Sequence, residues 1–533
     1  MVRKKLINLI KKSIKNLQKE GVFPKFDILE IQIEHPEKRI YGDYATSVAL
    51  KIGKILKKKP MKTAENLKSQ ILNLKPDLLK KIEAVRPGFI NFFLSDKYLQ
   101  EQVGKILKEK EKFGELKIGR KKKVQVEFIS ANPTGPLTLG NGRGGFCGDV
   151  LANVLTKTGY KVEREYYIND IGEQIKKLGH SVIGDPEGVY KGKYIDNLRG
   201  KIKGNNPYEV GQKAAKIILK EMIKPSVKKM GIKFDVWFSE KSLEKNKETD
   251  KALKLLKKKK FTYEKDGALW FKSSKFGDDK DRVLVRSNNE KTYFASDISY
   301  LKNKFKRKFN YIIYFWGADH YGYVNRIKAA AEALGYKKEQ VKIIIMQMVK
   351  LFKGGKEIRM SKRTGTYVVL DELIDEVGLD AARFFFLERN PESHLNFDLS
   401  LAKEQSEKNP VYYVQYAHAR ICSIMRKLKV KSLKLKIKNQ DLKLLSHPSE
   451  LALIKQLIRF PEIIEDTAKD YQVQRIPQYA VELASVFHRF YRDCKVIVED
   501  DDLKKARISL IKATKIVLKN TLDLMGISAP EKM

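Results

Sequence analysis

The stretch Val124–Tyr160, VQVEFISANPTGPLTLGNGRGGFCGDVLANVLTKTGY, decides the fold. Val124, Val126 and Phe128 alternate with Gln125 and Glu127, the period-2 pattern of a strand. Two prolines and a glycine in Ala131–Pro136 then stop it, since neither residue continues a central strand. A glycine-rich turn, Thr138–Gly145, follows. Val150, Leu151, Val154 and Leu155 then fall on one helical face. Strand, tight glycine-rich turn and helix is an order with a use. A helix start offers unpaired N–H groups and partial positive charge, and glycines let a phosphate approach the backbone. Arg143 adds a fixed positive charge to that turn.

A second stretch lies far along the chain, Lys353-Gly-Gly-Lys-Glu-Ile-Arg-Met-Ser-Lys-Arg-Thr-Gly365. Two adjacent glycines precede four cations, Lys356, Arg359, Lys362 and Arg363, within eight residues. Such a loop can close over a polyphosphate and stabilise charge developing in nucleotidyl transfer. A strand-like Tyr367–Leu370 and a helix are expected after it.

Lys plus Arg number 108 against 65 for Asp plus Glu, a formal charge of +43. This excess favours polyanion partners and salt-sensitive binding. The three cysteines, Cys147, Cys422 and Cys494, have no zinc spacing and form no disulfide framework, which suits a reducing compartment. No uncharged apolar run of membrane-spanning length occurs, and the lysine-rich start does not resemble a secretory signal. A cytoplasmic protein without membrane attachment is expected.

In chain order, residues 1–20 read as an amphipathic helix with Leu6, Leu9, Ile10, Ile14 and Leu17 as its stripe. Helices are expected over 43–56 and 61–72, strands over 82–94 with Pro87-Gly88 as a turn, and a connecting helix over 98–112. The catalytic unit then begins at the opening strand. Lys161–Tyr167 reads as a second strand, followed by the turn Ile168–Gly172 and a helix, which argues for a doubly wound parallel sheet. A Gly-, Lys- and Asn-rich segment opens an insertion placed at about 183–280, containing a helix over 208–229 and strand-like 234–238 and 268–272. The nucleotide-binding fold is expected to resume at Val283. Tyr311–Trp316 and Val341–Val349 read as buried parallel strands. Ligands bind at the carboxyl ends of such strands, and Glu127, Asn132, Tyr293, Asp297, Asp319 and His320 all fall near expected ends. A cluster of acids there suits a cationic substrate. From about 405 the spacing is helical to the end, over 411–428, 451–460, 461–471, 474–494 and 502–525, a bundle of five or six helices.

PTGPLTLGNGRGG followed by RMSK resembles the two nucleotide-binding motifs of class I aminoacyl-tRNA synthetases. The flanking text narrows the resemblance to arginyl-tRNA synthetase: EFISANPTGPL, EREYYINDIGEQI, KFDVWFSE, EKDGALW, FGDDKDRVLVRS, TYFASDI, GADHYGY, RMSKRTG, DAARFFF, SHLNFDL, NPVYYVQYAHARI and LMGISAPEKM, in that order along essentially the whole chain. The resemblance implies a multidomain α/β protein. Residues 1–112 would be an α+β unit touching the tRNA elbow, 120–400 a Rossmann-like catalytic domain, and 405–533 a helical anticodon-binding domain, with DAARFFF at the hinge. It also implies arginine–tRNA ligase activity, ATP-dependent formation of arginyl-adenylate and transfer to the 3′ end of tRNA-Arg, with bound tRNA required for activation. ATP would enter with Mg²⁺ as a substrate complex, and no tightly bound metal or organic cofactor is expected. A monomer is expected.

Residue by residue, the resemblance places Thr138, Gly140, Asn141 and Lys362 in catalysis. Pro133, Thr134, Gly135, Leu139, Gly142, Arg143, Arg359, Met360 and Ser361 would bind ATP. Tyr293 and Asp297 would read the guanidinium, Glu127 and Asn132 would hold the amino-acid end, and Asp319 and His320 would complete the wall. Tyr413, Tyr416 and Arg420 on an aromatic helix face, with Met533, would contact tRNA bases. The guanidinium assignment has its own physical logic. That group is a rigid fork of five N–H donors, always charged, and is read by carboxylates and oxygen acceptors in a plane. One departure stands out. The family has His-x-Gly-His where this chain has Thr138-Leu139-Gly140-Asn141. Losing a transition-state donor costs about 10²–10³ in rate, but a hydroxyl and an amide also donate. The competing implication is a weak or inactive tRNA-binding paralogue.

Overall fold

The apolar stripe at the chain start becomes the helix Val2–Lys19, which buries Leu6, Ile10, Ile14 and Leu17. The computed structural model describes residues 1–28, 30–358, 369–428 and 442–533. Next to this helix, β1 (Tyr44–Thr46), β2 (Leu79–Val85) and β3 (Phe89–Leu94) make an antiparallel sheet in the order β1-β3-β2. The helix expected over 43–56 is therefore split. Tyr44–Thr46 pairs with β3, and the helix runs from Val48 to Leu56. This unit rests on the C-terminal bundle through Glu462, which accepts from the Arg3 N–H at 3.1 Å and the Tyr44 hydroxyl at 3.2 Å, with His35 Nε2 at 3.0 Å.

The opening stretch forms β4 (Lys123–Glu127) and a helix of 19 residues, Leu139–Lys157. β5 (Lys161–Ile168) and β6 (Val236–Ser239) follow. A separate antiparallel sheet contains β7 (Thr262–Lys265), β8 (Ala268–Phe271) and β9 (Arg282–Val285). β10 (Tyr311–Gly317) and β11 (Val341–Met346) complete the central sheet, all parallel, in the order β11-β10-β4-β5-β6. The chain winds outward from β4 in one direction and then returns to its other side at β10. The carboxyl end of β4 is thus the topological switch point, where doubly wound sheets bind ligands.

Two sequence expectations are corrected here. The strand within the expected insertion, β6, is an edge strand of the central sheet, paired with β5 from Glu165↔Val236 to Ile168↔Ser239. The segment from Val283 does not resume that sheet. It belongs to the small antiparallel one, and the next parallel strand is β10. The helical segment over 207–229 contains a π-turn, Leu219–Ile223. Pro225 has no N–H for the Glu221 carbonyl, so the helix widens there.

The first part of the basic loop is a hairpin, β12 (Val349–Lys353) and β13 (Lys356–Ile358), turned at Gly354-Gly355 with φ of 57° and 78°. β12 also pairs in parallel with β14 (Leu395–Asp398). Among the described residues the C-terminal bundle has helices Pro410–Lys427, Pro448–Asp470, Arg475–Asp493 and Asp501–Met525. Pro461 was expected to open a new helix. It lies instead inside one continuous helix of 23 residues. No helix among the described residues is long and apolar enough to cross a membrane.

Candidate active site

β4 ends at Glu127, and the chain leaves through a strained turn in which Ile129 and Ser130 have φ of 64° and 40°. This left-handed region is costly for a β-branched side chain. β5 holds the turn in place. The Tyr167 N–H donates to Ser130 Oγ at 3.0 Å, and the Tyr166 hydroxyl to the Ala131 carbonyl at 2.9 Å. Asn132 is exposed beyond it and Pro133 is buried. The Tyr194 hydroxyl donates to the Thr134 carbonyl at 2.9 Å, lying over Gly135.

Thr138 caps the helix that follows. Asn141 Oδ1 accepts both the Thr138 N–H, at 2.9 Å, and the Thr138 hydroxyl, at 3.0 Å. Two donors on one atom fix the amide orientation, so the Asn141 NH₂ is the end left to donate outward. Leu139 is buried and Gly140 exposed beside it. The open N–H groups of the first turn complete a donor set suited to an anion.

Three other glycines of this helix, Gly142, Gly145 and Gly148, serve packing. A Cβ on Gly142 would lie 2.5 Å from Leu370, on Gly145 2.4 Å from Met230, and on Gly148 2.4 Å from Phe128. Arg143 does not face the turn's surface. It is fully buried, and its guanidinium donates to the carbonyls of Gln347 and Asn390, each at 2.9 Å. Its charge is committed to the backbone and not held at the turn's surface.

Arg359, Met360, Ser361 and Lys362 lie outside the described residues. Their flanks do not. Val369 bridges to Thr138, and the Leu370 N–H donates to the Leu137 carbonyl at 3.0 Å. The carboxyl end of the basic loop is thus tied to the N-cap of the glycine-rich helix.

An acidic cluster lies alongside. The helix Tyr293–Lys306 has Tyr293, Asp297, Tyr300 and Lys304 at i, i+4, i+7 and i+11, one face. Tyr293 is half exposed, with its hydroxyl over Gly172. Asp297 accepts the Tyr323 hydroxyl at 2.6 Å. Burial pushes its carboxyl up to about 6, helped by Glu127 and opposed by the Tyr323 bond and Lys304. Glu240, just past β6, is buried and hydrogen-bonded with Tyr167. The Asn169 amide, turned to donate, reaches Glu240 Oε2 at 3.1 Å. Burial and the neighbouring Asp297 push Glu240 up to about 8. Among the described residues neither Asp297 nor Glu240 is in an ion pair. Two carboxylates bonded only by hydroxyls and an amide make a receptor for a cation from outside.

Glu240, Tyr167 and Tyr323 were not singled out in the sequence. Glu240 ends the KFDVWFSE motif, a signal that its assignment to an insertion obscured. Glu127 is buried, paired with Lys304 and bonded to the Tyr300 hydroxyl at 3.0 Å. Asp319 and His320 follow β10 in an exposed turn and pair with each other at 3.6 Å, 81% and 58% exposed. The turn leaves both in solvent, so neither walls the cluster by itself. Tyr293 and Asp297 follow an antiparallel strand and not a parallel one, and their helix carries them to the switch point.

The match to family models spans the chain. Residues 4–94 match the arginyl-tRNA synthetase N-terminal domain, residues 102–182 and 185–422 the class I (R) tRNA synthetase catalytic domain, and residues 414–533 the DALR anticodon-binding domain. The arginine–tRNA ligase of Carboxydothermus hydrogenoformans is 46% identical, with 97% of this chain and 96% of that one covered. That of Caldanaerobacter subterraneus is 45% identical over 100% and 99%. The chain belongs to the arginyl-tRNA synthetase family. Its fold is also that of the Thermus thermophilus arginyl-tRNA synthetase, with a TM-score of 0.79 at 22% identity, covering all of both chains.

In this synthetase family member the bundle carries a second feature. A groove of about 760 Å³ is lined by Tyr416, Arg420, Tyr491, Lys495, Lys532 and Met533, among others. Arg420 lies over the rings of Tyr416 and Tyr491 at 5.0 and 4.7 Å. Tyr413 is not in this lining. Its ring packs on His488 at 4.8 Å, half buried against the core.

Proposed function

We propose that the chain ligates arginine to tRNA-Arg in two steps, and the observation that carries this is the pair Asp297 and Glu240, in no ion pair among the described residues, close to Glu127 at the carboxyl end of β4. The guanidinium enters that cluster and is read by Asp297, Glu240 and Tyr293. Glu127 and Asn132 hold the α-ammonium end. ATP, with Mg²⁺, lies over Thr134–Asn141, with Pro133, Gly135 and Leu139 shaping the loop. The Asn141 NH₂ and the first-turn N–H groups donate to phosphate oxygens, and Thr138 holds Asn141 in place. The arginine carboxylate attacks the α-phosphate in line and pyrophosphate leaves, its charge met by Lys362 with Arg359, Met360 and Ser361 on the basic loop. The terminal ribose hydroxyl of the tRNA then takes the arginyl group and AMP leaves. These residues supply position and electrostatics.

The groove at Tyr416, Arg420 and Met533 offers aromatic and cationic faces on which unstacked bases can lie, and the α+β unit at 1–112 meets the tRNA elbow. The protein works as a cytoplasmic monomer. The test is aminoacylation of unfractionated tRNA from a related bacterium. Arginine should be attached to arginine isoacceptors alone, and Asp297→Ala should raise the arginine KM steeply. An unmoved KM would remove the cluster from the account.

A further inference from the structure

β4 and β5 place Glu127 and Glu165 side by side in register, both buried. Two adjacent buried carboxylates need counter-charge, or one takes up a proton. The helix that carries Tyr293 and Asp297 supplies it about two to three turns further on, from Lys304 and from Arg307 at its C-cap. Arg307 donates to Glu165 at 3.0 and 2.5 Å. Lys304, fully buried, pairs with Glu127, and its ammonium sits 4.2 and 4.0 Å from the ring centroids of Tyr300 and Tyr314. The Tyr300 hydroxyl lies between the two carboxylates, in hydrogen-bond contact with both.

The bonds to Glu127 are one-sided. Lys304 and Tyr300 both reach Oε2. Among the described residues Oε1 receives none, and Glu127 keeps 6% of its surface open. One oxygen is fastened to the core, and the other is left over at the switch point, near Asp297.

We propose that Lys304 and Tyr300 are positioning residues for the amino-acid substrate, fastening Glu127 by Oε2 so that Oε1 takes the α-ammonium of arginine. The inference rests on the ligase reading above and adds to it the elements that fix one end of the substrate. A single helix then sets both ends: Tyr293 and Asp297 at the guanidinium, Tyr300 and Lys304, through Glu127, at the α-ammonium. Without Lys304 the buried carboxyl would lose its counter-charge and its attraction for an ammonium. Without the Tyr300 hydroxyl it would lose an anchor on Oε2 and turn more freely.

The test compares two ligands by calorimetry on the full-length chain. L-Arginine carries guanidinium, carboxylate and α-ammonium. δ-Guanidinovalerate carries the first two only. Tyr300→Phe keeps the ring volume and Lys304→Met keeps most of the stem, so the first remains informative if the second folds poorly. In both variants the arginine Kd should rise about tenfold or more, the value of one charge-assisted hydrogen bond. The δ-guanidinovalerate Kd should stay within about twofold. Equal weakening of both ligands would show a merely structural network and overturn the proposal, as would no change in either. Failure of the unaltered chain to bind arginine at all would overturn the ligase reading itself, a result distinct from both.

Discussion

Asn141 and Thr138 show how a motif can change its residues and keep a donor. Asn141 Oδ1 is occupied by two Thr138 donors, which turns the amide nitrogen outward. Asn141→Asp keeps the capping oxygen and replaces the NH₂ with a second oxygen. Its melting temperature should be unchanged, while the adenylation rate should fall about 10²–10³-fold, the cost of removing one transition-state donor. The acid pair predicts a pH dependence. Asp297 sits near 6 and Glu240 near 8, both above ordinary carboxyls. Near pH 7 the empty cluster therefore keeps a proton that a guanidinium must displace. Arginine binding should release protons, seen by calorimetry in buffers of different ionisation enthalpy, and arginine KM should fall as pH rises from about 6 to about 8. Raised folded values also mean that these carboxyls stabilise the empty fold fully only below their unfolded values, about 4, and that this contribution is lost as pH rises through 6 and 8. Asp297 was legible in sequence because TYFASDI carries it in a motif. Arg143 was misread because a charge in a glycine-rich turn looks the same whether it faces solvent or, as here, two carbonyls inside the core.

The elements divide along physical lines. β4, β5, β10 and β11 were legible because alternation or an apolar run marks them directly. β6 was legible as a strand over 234–238 but not as part of the central sheet, because four half-buried residues between lysine-rich segments carry no sign of which sheet they join. Proline misled at Pro461, where the rule that it ends a helix lost to packing. Phe460 and Ile464 on that helix lie against Gly114, and the helix runs on through the missing bond. The glycines of the helix Leu139–Lys157 were legible as a cluster and ambiguous in purpose. Gly148 lies against the Phe128 ring, so Gly148→Ala should cost about 1–3 kcal/mol by overpacking. Urea unfolding should show it as a lower midpoint with an unchanged slope.

Two buried charged groups join the domains. Arg383 is fully buried. It donates to the Met230 carbonyl at 3.0 Å, to the Met525 carbonyl at 2.7 Å and to Asp149 at 2.9 Å, joining the glycine-rich helix, the inserted segment and the end of the bundle. Glu462 does the same for the N-terminal unit. Burial alone would raise its carboxyl, but His35 and Arg3 outweigh this and hold it below the usual range. A lowered folded value stabilises above the unfolded one, about 4.3, and this is lost as pH falls through the folded value. Glu462→Ala leaves the Tyr44 hydroxyl and His35 without their partner, while the Arg3 guanidinium keeps Asp466, and should destabilise by about 1–3 kcal/mol. Limited proteolysis should then cut first between residues 1–95 and the rest. The Glu462 ties join residues more than 400 apart in sequence and the Arg383 ties residues 142 to 234 apart, which no local pattern reveals.

The central claim is that the chain activates arginine although Thr138 and Asn141 stand where the family has imidazoles. ATP–pyrophosphate exchange with tRNA present tests it most directly. Exchange that depends on arginine, and is not supported by lysine, is the predicted result. No exchange above background with arginine, tRNA and ATP all supplied would contradict it and leave a tRNA-binding paralogue without catalysis.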